Sequence, residues 1–476
     1  MHFSSLSRAA FILFSGNMFG SACLFLVSVI ASATSAAAQS TGTSFYAELE
    51  RIQNNLTALH TTIAPSWVSA PSMRGTSGIV YSCILTLFAC IYTALHLNIP
   101  KRGAGAMGLL ISKSLWSLAA LTAPEIVLFY ASFQFITARS IAKTLRGLAE
   151  IEASTEADAG AGTKANHSLG PAGEKYTFDL KYGFFAAMGG FEILYRGPEE
   201  AEPSLVTLSP DGVRKLAAQN LEQFKISRSS IEDRSKADTV QKGLVLFQVV
   251  WMALQCIARK AYGLPLSLLE LHTMVHVVCA MAMYAFWIEK PLDIRSAEVL
   301  DPSKFPDLND LDLGKHTQRQ GSNLAGFKLS SLLQADALEI VGTLGDMGGQ
   351  LVATVGLLLP AIYGGVHLSA WRFEFPTPIE SLWKIACIII AASIPVWYVA
   401  SLLPIEIADA VAKHSKRLET VANFFFGFMV WFCGRLLIYV LAVCRFYIVV
   451  EAFVSLRSMP IGVYWTPAWI QMIPHL

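Results

Sequence analysis

The chain has 476 residues, 54% of them apolar and only 15% Asp, Glu, Lys or Arg, with a formal net charge of +1. A soluble domain carries about 25% charged residues, so this balance excludes an ordinary water-soluble globule. A charge so near zero also excludes the broad field that would recruit nucleic acid. The apolar residues come in blocks of about twenty, the helix length that crosses a bilayer core of ~30 Å. All eight cysteines lie in apolar segments, so their spacing supplies neither an extracellular disulfide framework nor a CxxC metal site.

Residues 1–38 read as a secretory signal peptide. Arg8 gives the positive start, Phe11 to Ile30 the apolar stretch, and Ala36-Ala37-Ala38 the small-residue cleavage pattern. The stretch is long for a signal, which leaves a retained anchor as the alternative. A luminal or extracellular segment follows at 39–77, with Asn55-Leu56-Thr57 as a glycosylation acceptor. Hydrophobic spans are then predicted at 78–97, 109–132, 243–260, 265–287, 350–367, 383–403 and 424–450. In lipid, backbone polar groups must be satisfied within their own segment, and these blocks lack the alternation of barrel strands, so helices are expected. The predicted fold is all-α, a polytopic helical membrane bundle of about seven transmembrane helices behind the signal peptide. The spans fall in three groups, 78–132, 243–287 and 350–450, separated by polar loops at 133–242 and 288–349 and closed by a tail at 451–476.

The first loop contains a low-complexity run, Ala153 to Gly162, expected to be disordered. It also contains an amphipathic helix: Ser209 is the N-cap, Pro210 suits the first helical position, and Leu216, Leu221 and Phe224 form an apolar face. The second loop begins at Lys290-Pro291 and ends in a helix-like segment from Leu329 to Leu344. Neither loop is large or apolar enough for an independent catalytic domain. Orientation is in conflict. A cleaved leader and seven crossings put Arg139, Lys143, Arg146 and Lys416 on the luminal side, against the positive-inside rule. A re-entrant second segment, broken at Pro124-Glu125, or a retained leader would each resolve it. There is also an internal echo. Ile91-Tyr92 with His96-Leu97 closes the first span, as Ile362-Tyr363 with His367-Leu368 closes the fifth. Duplication of the kind found in transporters and independent recurrence of Tyr and His at headgroup depth both account for it.

Ionisable groups inside spans are costly, so each is a candidate functional group. Glu125 follows Pro124, where a freed carbonyl could open a polar pocket or simply mark a helix break. His272 and His276 are four apart and share a helix face, so they could hold a metal or relay a proton. Glu270 lies about 120° from His276 around the helix, which rules out an HExxH site. A third ligand would have to come from another helix, and an interhelical hydrogen bond is the plainer reading, so no metal and no cofactor is assigned. Arg435 needs a carboxylate or carbonyl partner if it lies deep, with Glu125 one conceivable choice, whereas Arg445 is near enough to an end to snorkel. Gln248 and Gln255 share a face and are expected to bond a neighbouring helix. The glycine-rich segments 183–191 and 345–349 lack any phosphate-loop pattern, and no catalytic motif is present.

Several short motifs occur together: Arg74-Gly75-Thr76, Ser82-Cys83, His96-Leu97-Asn98-Ile99-Pro100, Pro124-Glu125, and Gly183-Phe184-Phe185 with Met188-Gly189-Gly190-Phe191. They continue with Ser235-Lys236-Ala237-Asp238, Trp287 with Lys290-Pro291-Leu292-Asp293, Tyr363-Gly364-Gly365 with His367, and Pro474-His475. From about residue 67 onward this chain resembles a widespread family of fungal multi-pass integral membrane proteins whose molecular function is unassigned. The resemblance implies a helical membrane fold and brings no reaction or ligand. It also suggests that segments 183–191 and 235–242 line a shared vestibule. The expected partner is the lipid bilayer, with no nucleic acid and no identified ligand or protein. The expected location is the secretory pathway, ending at the plasma membrane. A transport-like or receptor-like role leads. A membrane-embedded enzyme built on His272, His276 and Glu125 and an accessory or scaffold subunit are the alternatives.

Overall fold

The computed structural model describes residues 42–68, 74–94, 96–100, 106–158, 177–195, 203–233, 239–292, 294, 296–305, 345–373, 375–412 and 416–466. The expected signal peptide at 1–38 and the segment Leu329 to Leu344 lie outside them. Helices dominate: α1 (Gly42–Ile52), α2 (Leu56–Thr61), α3 (Thr76–Ala94), α4 (Ala106–Thr122), α5 (Pro124–Asp158), α6 (Leu180–Ala187), α7 (Pro210–Gln219) and α8 (Arg228–Asp233). They continue with α9 (Thr239–Ala261), α10 (Leu268–Trp287), α11 (Gly345–His367), α12 (Leu382–Ala412) and α13 (Lys416–Val454).

Each predicted span coincides with helix, but the spans differ in quality. Among the described residues two stretches, Leu268–Trp287 and Gly427–Arg457, are long and apolar enough to cross a membrane. Thr76–Ile91, Thr354–Ala370 and Leu382–Tyr398 are apolar but shorter. The second predicted span is two helices, Lys113–Thr122 and Pro124–Thr155, bent by 114°. Pro124 explains the break: it has no N–H for the preceding turn, and its fixed φ suits the first position of a new helix. On length and composition, then, the seven expected spans reduce to two, or three if the bent pair counts as one.

The chain divides into two compact units. The first comprises the chain up to Ala89, Val245–Val277 and Pro360 onward, and the second comprises Cys90–Leu244 and Val278–Leu359. In the first unit, Asn55 caps α2, its Oδ1 accepting from the Ala58 N–H at 3.1 Å. The segment after α2 pairs with the chain near Pro460, through Ala64 N–H to Met459 O at 2.9 Å and Ile461 N–H to Thr62 O at 2.8 Å. Helices α11 and α12 touch at Gly364, where a Cβ would come within 2.6 Å of the Cys387 carbonyl. Gln248 Nε2 donates to Thr86 Oγ1 at 3.1 Å, the interhelical bond expected of it.

In the second unit α5 stays helical as far as Asp158, so the run expected to be disordered is ordered from Ala153 to that point. Helix α6 lies against α5 at Gly183, where any Cβ would sit 2.1 Å from the Ala138 carbonyl oxygen. Gly189, with φ of 89°, then turns the chain into a strand. Strands β1 (Phe191–Tyr195), β2 (Ser204–Thr207) and β3 (Glu298–Leu300) form a sheet of order β2-β1-β3, antiparallel on one side and parallel on the other. The described chain is mostly helical, consistent with the all-α expectation, and this small mixed sheet is an addition to it that strands so short could not signal by hydropathy in a long polar loop.

The core of this module is aromatic. Phe191 packs against Phe185 and Phe224 with ring centres 5.5 and 5.0 Å apart, and Tyr182 donates its hydroxyl to the Phe224 carbonyl at 2.6 Å. The amphipathic helix is present, with Ser209 Oγ accepting from Gly212 N–H at 3.1 Å and Leu216 and Phe224 fully buried. It ends earlier than expected, because Leu221–Phe224 is a separate 3-10 turn. Phe184 and Met188 are also buried, so the 183–191 motif builds this core rather than lining a vestibule. On the rim, Glu232 accepts from Lys181 Nζ at 2.7 Å and Arg228 Nε at 2.9 Å, contacts that hold its carboxyl down to about 2.

Two outcomes follow from this packing. Phe184→Ala costs about 3–5 kcal/mol of unfolding free energy, and a denaturant titration showing under ~1 kcal/mol would mean that the aromatic core is not packed as described. The stabilisation from Glu232 is fully present above its ordinary pKa of 4.5 and is lost as pH falls towards about 2. Glu232→Gln should flatten that acid limb in amide exchange of α8.

Candidate functional site

Helix α10 starts with a reciprocal cap. Ser267 Oγ accepts from the Glu270 N–H at 3.2 Å, while Glu270 Oε2 accepts from the Ser267 N–H at 3.0 Å and hydroxyl at 2.9 Å. Ser267-Leu268-Leu269-Glu270 is the capping-box pattern, a signal that was available in the sequence. The other carboxylate oxygen pairs with Arg74. Glu270 therefore anchors a helix start, where the dipole favours a negative charge.

One turn further along, α10 presents His272 and His276. His276 Nδ1 lies 2.9 Å from the His272 carbonyl, and His367 Nδ1 lies 2.8 Å from the Tyr363 carbonyl. Carbonyls only accept, so both Nδ1 atoms carry hydrogen. Neutral His367 then offers a lone pair at Nε2, which faces His272 Nδ1 at 3.1 Å. His272 must donate there, and its own Nε2 keeps a bare lone pair, buried and without a hydrogen-bond partner among the described residues. Trp383 Nε1 donates to the His367 carbonyl at 3.3 Å, and the guanidinium of buried Arg445 lies 4.9 Å from the Tyr363 ring centre. The pair can thus accept one proton. Uptake at His272 Nε2, with transfer of the Nδ1 proton to His367 Nε2, leaves every other N–H of the two rings bonded as before. Sequence reading found His272 and His276 but not their partner, because His367 lies on a helix 95 positions away.

A second centre escaped sequence reading altogether. Lys290 Nζ donates to Gln134 Oε1 at 2.8 Å, to Asn98 Oδ1 at 3.2 Å and to the His96 carbonyl, and it stands 4.7 Å from the Trp287 ring centre. Trp287 Nε1 donates to Gln134 Oε1 at 3.1 Å, and Gln134 Nε2 donates to Tyr130 Oη and Asn98 Oδ1, both at 2.8 Å. Those bonds fix both amide orientations, so all three oxygens around Lys290 can only accept. A neutral amine has two N–H groups and an ammonium has three, so the cage calls for the cation. Burial alone pushes the Lys290 pKa well below the ordinary lysine range, and the three oxygens and the indole face oppose that push. The nearest sequence signal was the proximity of Trp287 to Lys290 and the motif at His96 to Pro100, with nothing to join them.

Glu125 is buried in the first turn of α5, at the positive end of that helix. Arg435 is exposed on α13 rather than deep. Arg445, expected to snorkel, is buried instead. Asn55 is exposed, and its side chain is the N-cap of α2. Arg259 is the other buried cation held by carbonyls: it donates to Trp465, Gly462 and Val463 oxygens at 2.8 Å and to Pro265 at 3.1 Å. Among the described residues the cysteines form no disulfide, and no three His, Cys, Asp or Glu side chains converge as a metal site would require.

A family described only as a family of unknown function (DUF8562) matches residues 49–312 and 346–476 of this chain. No curated protein and no solved structure matches it.

Removing the ammonium takes a donor from three buried oxygens, although Gln134 Oε1 keeps Trp287 Nε1 and Asn98 Oδ1 keeps Gln134 Nε2, so Lys290→Met should cost about 1–3 kcal/mol. Adding Gln134→Leu should cost less on that background than alone. Strict additivity in a double-mutant cycle of unfolding free energies would show that the cage is not a unit.

Proposed function

The chain belongs to this family of unknown function, and from that premise we propose that it is a multi-pass integral membrane protein with a transport-like role, in which the His272–His367 pair takes up a proton. The carrying observation is the open lone pair of His272 Nε2, buried on one of the two helical stretches long and apolar enough to cross a membrane. A buried base with a fixed tautomer and a hydrogen-bonded acceptor behind it is the minimal element of a proton relay. The motif resemblance supports a fungal membrane setting, and the secretory route to the plasma membrane rests on the leader pattern at 1–38.

The bent α4–α5 pair supports one topology. If that pair re-enters instead of crossing, a leader-first chain places Lys101, Arg102, Arg139, Lys143, Arg146, Lys413, Lys416 and Arg417 on the cytosolic side. Arg259, Lys260, Arg372, Lys384 and Arg457 then face the other way, which is the bias that the positive-inside rule expects. The metal-enzyme reading has less support, since the third histidine beside His272, His367, already uses Nε2 to accept from His272 and Nδ1 to donate to the Tyr363 carbonyl.

Proteoliposomes with an internal pH dye test the role. Wild-type protein should dissipate an imposed proton gradient, and His272→Gln should slow it at least about tenfold, the scale of a lost proton-transfer group. Flux no greater than that of protein-free liposomes sinks the transport reading. Release of the chain by alkaline carbonate without detergent sinks the membrane reading itself.

A further inference from the structure

Two carboxyls are buried where the chain enters α12 and leaves α13. Glu380 and Glu451 are each 4% exposed. Glu380 Oε1 pairs with Arg457, in the 3-10 turn that follows α13, and accepts from Thr377 Oγ1 at 2.8 Å. Tyr447 holds this segment against α13, its hydroxyl 2.9 Å from the Ile379 carbonyl and 3.1 Å from that of Glu380. Glu451 follows Tyr447 by four residues and so shares its face of the helix. The charged groups acting on Glu451 are Glu380, of like sign, and Arg457, of opposite sign. The other cations nearby are engaged elsewhere. Lys384, one turn beyond Glu380, lies over the rings of Trp371 and Phe375, 5.2 and 5.9 Å from their centres, and Arg445 lies over Tyr363. Tyr447 and the Cys387 thiol also titrate here and are neutral at rest. Glu374, an acid of the same turn, lies outside the described residues.

Two buried oxygens are left over, since Glu380 Oε2 and Glu451 Oε1 have no hydrogen-bond partner among the described residues. Arg457 and Thr377 stabilise the charge on Glu380. A second carboxylate beside it would be buried against a like charge with no donor at Oε1, a costly state. Protonation removes that charge and turns one oxygen into a donor. We propose that Glu451 is a proton-binding site, distinct from the histidine pair, and that it holds its proton because Glu380 claims Arg457. The step is uptake of one proton from water by the carboxylate, and only an O–H bond forms. The site does not rest on the transport reading, because two buried carboxyls that share one guanidinium call for a proton in any setting.

The test is infrared spectroscopy of the purified full chain in detergent, in the carboxylic C=O region above the amide bands. An exposed glutamate is only about 2% protonated at pH 6, so the solvated acids contribute little there. At pH 6 the wild type should show an absorption, shifted in D2O, that Glu451→Gln lacks, and it should fade as the pH is raised to 9. Glutamine has nearly the shape of the protonated acid, so this variant should keep wild-type thermal stability. Glu380→Gln removes the like charge and frees Arg457 for Glu451, and should cost at least about half of the absorption at pH 6. Identical spectra of wild type and Glu451→Gln in this region overturn the proposal. An undiminished absorption in Glu380→Gln overturns the part given to Arg457. His272→Gln should leave the absorption unchanged, so the site stands even where liposomes show no proton flux. Loss of the absorption in His272→Gln would overturn its independence from the histidines.

Discussion

Neutral oxygens, rather than carboxylates, hold the buried cations Lys290 and Arg259, and the local folds are arranged to bring those oxygens together. Burying an ion pair means desolvating two charges, and the attraction between them often fails to offset that cost. Carbonyl dipoles satisfy the N–H groups while adding no second charge. Arg259 thereby draws Pro265 and the segment from Gly462 to Trp465 into one place, and Lys290 does the same for His96, Asn98 and Gln134. The exception, Arg74 with Glu270, sits at the start of α10, where the helix dipole and a reciprocal cap stabilise the acid independently of the arginine.

The same logic governs the histidines. In apolar surroundings an imidazole stays neutral unless something stabilises its charged form. Both Nδ1 atoms near the pair donate to carbonyls, and the cation of Arg445 beside Tyr363 opposes another positive charge on His367. The resting pair is therefore neutral and oriented, and its single open valence points away from the hydrogen-bonded chain at His272 Nε2. A group in this condition can respond to a proton without rearranging its neighbours.

Legibility followed the range of the signal. Helix placement was readable because apolar blocks and Pro124 act locally, and so was the Ser209 cap with its apolar face at Leu216 and Phe224. The break at Pro124 was visible, but its 114° angle was not, because the angle depends on what the two helices pack against. β1 was missed since Phe191 to Tyr195 is short and its partners come from Ser204 and from Glu298 far along the chain. The Ser267–Glu270 box was legible and was overlooked in favour of an intramembrane role for Glu270. The lysine cage was not legible at all, because its acceptors are an amide, a backbone carbonyl and a second amide from separate segments, none of which a lysine marks in sequence.

Many of the motif residues turn out to have structural work. Gly183 admits α5, Asn98 and Lys290 close the cage, and Arg74 and Thr76 tie down the entry to α3, where Thr76 Oγ1 meets Tyr464 Oη at 3.0 Å. A group whose valences are all met by its own chain has nothing left to offer a ligand, so such motifs say little about substrate. Function is better sought where valence is left over. In the first unit that condition is met, among the described residues, by the lone pair of His272 Nε2, buried on α10.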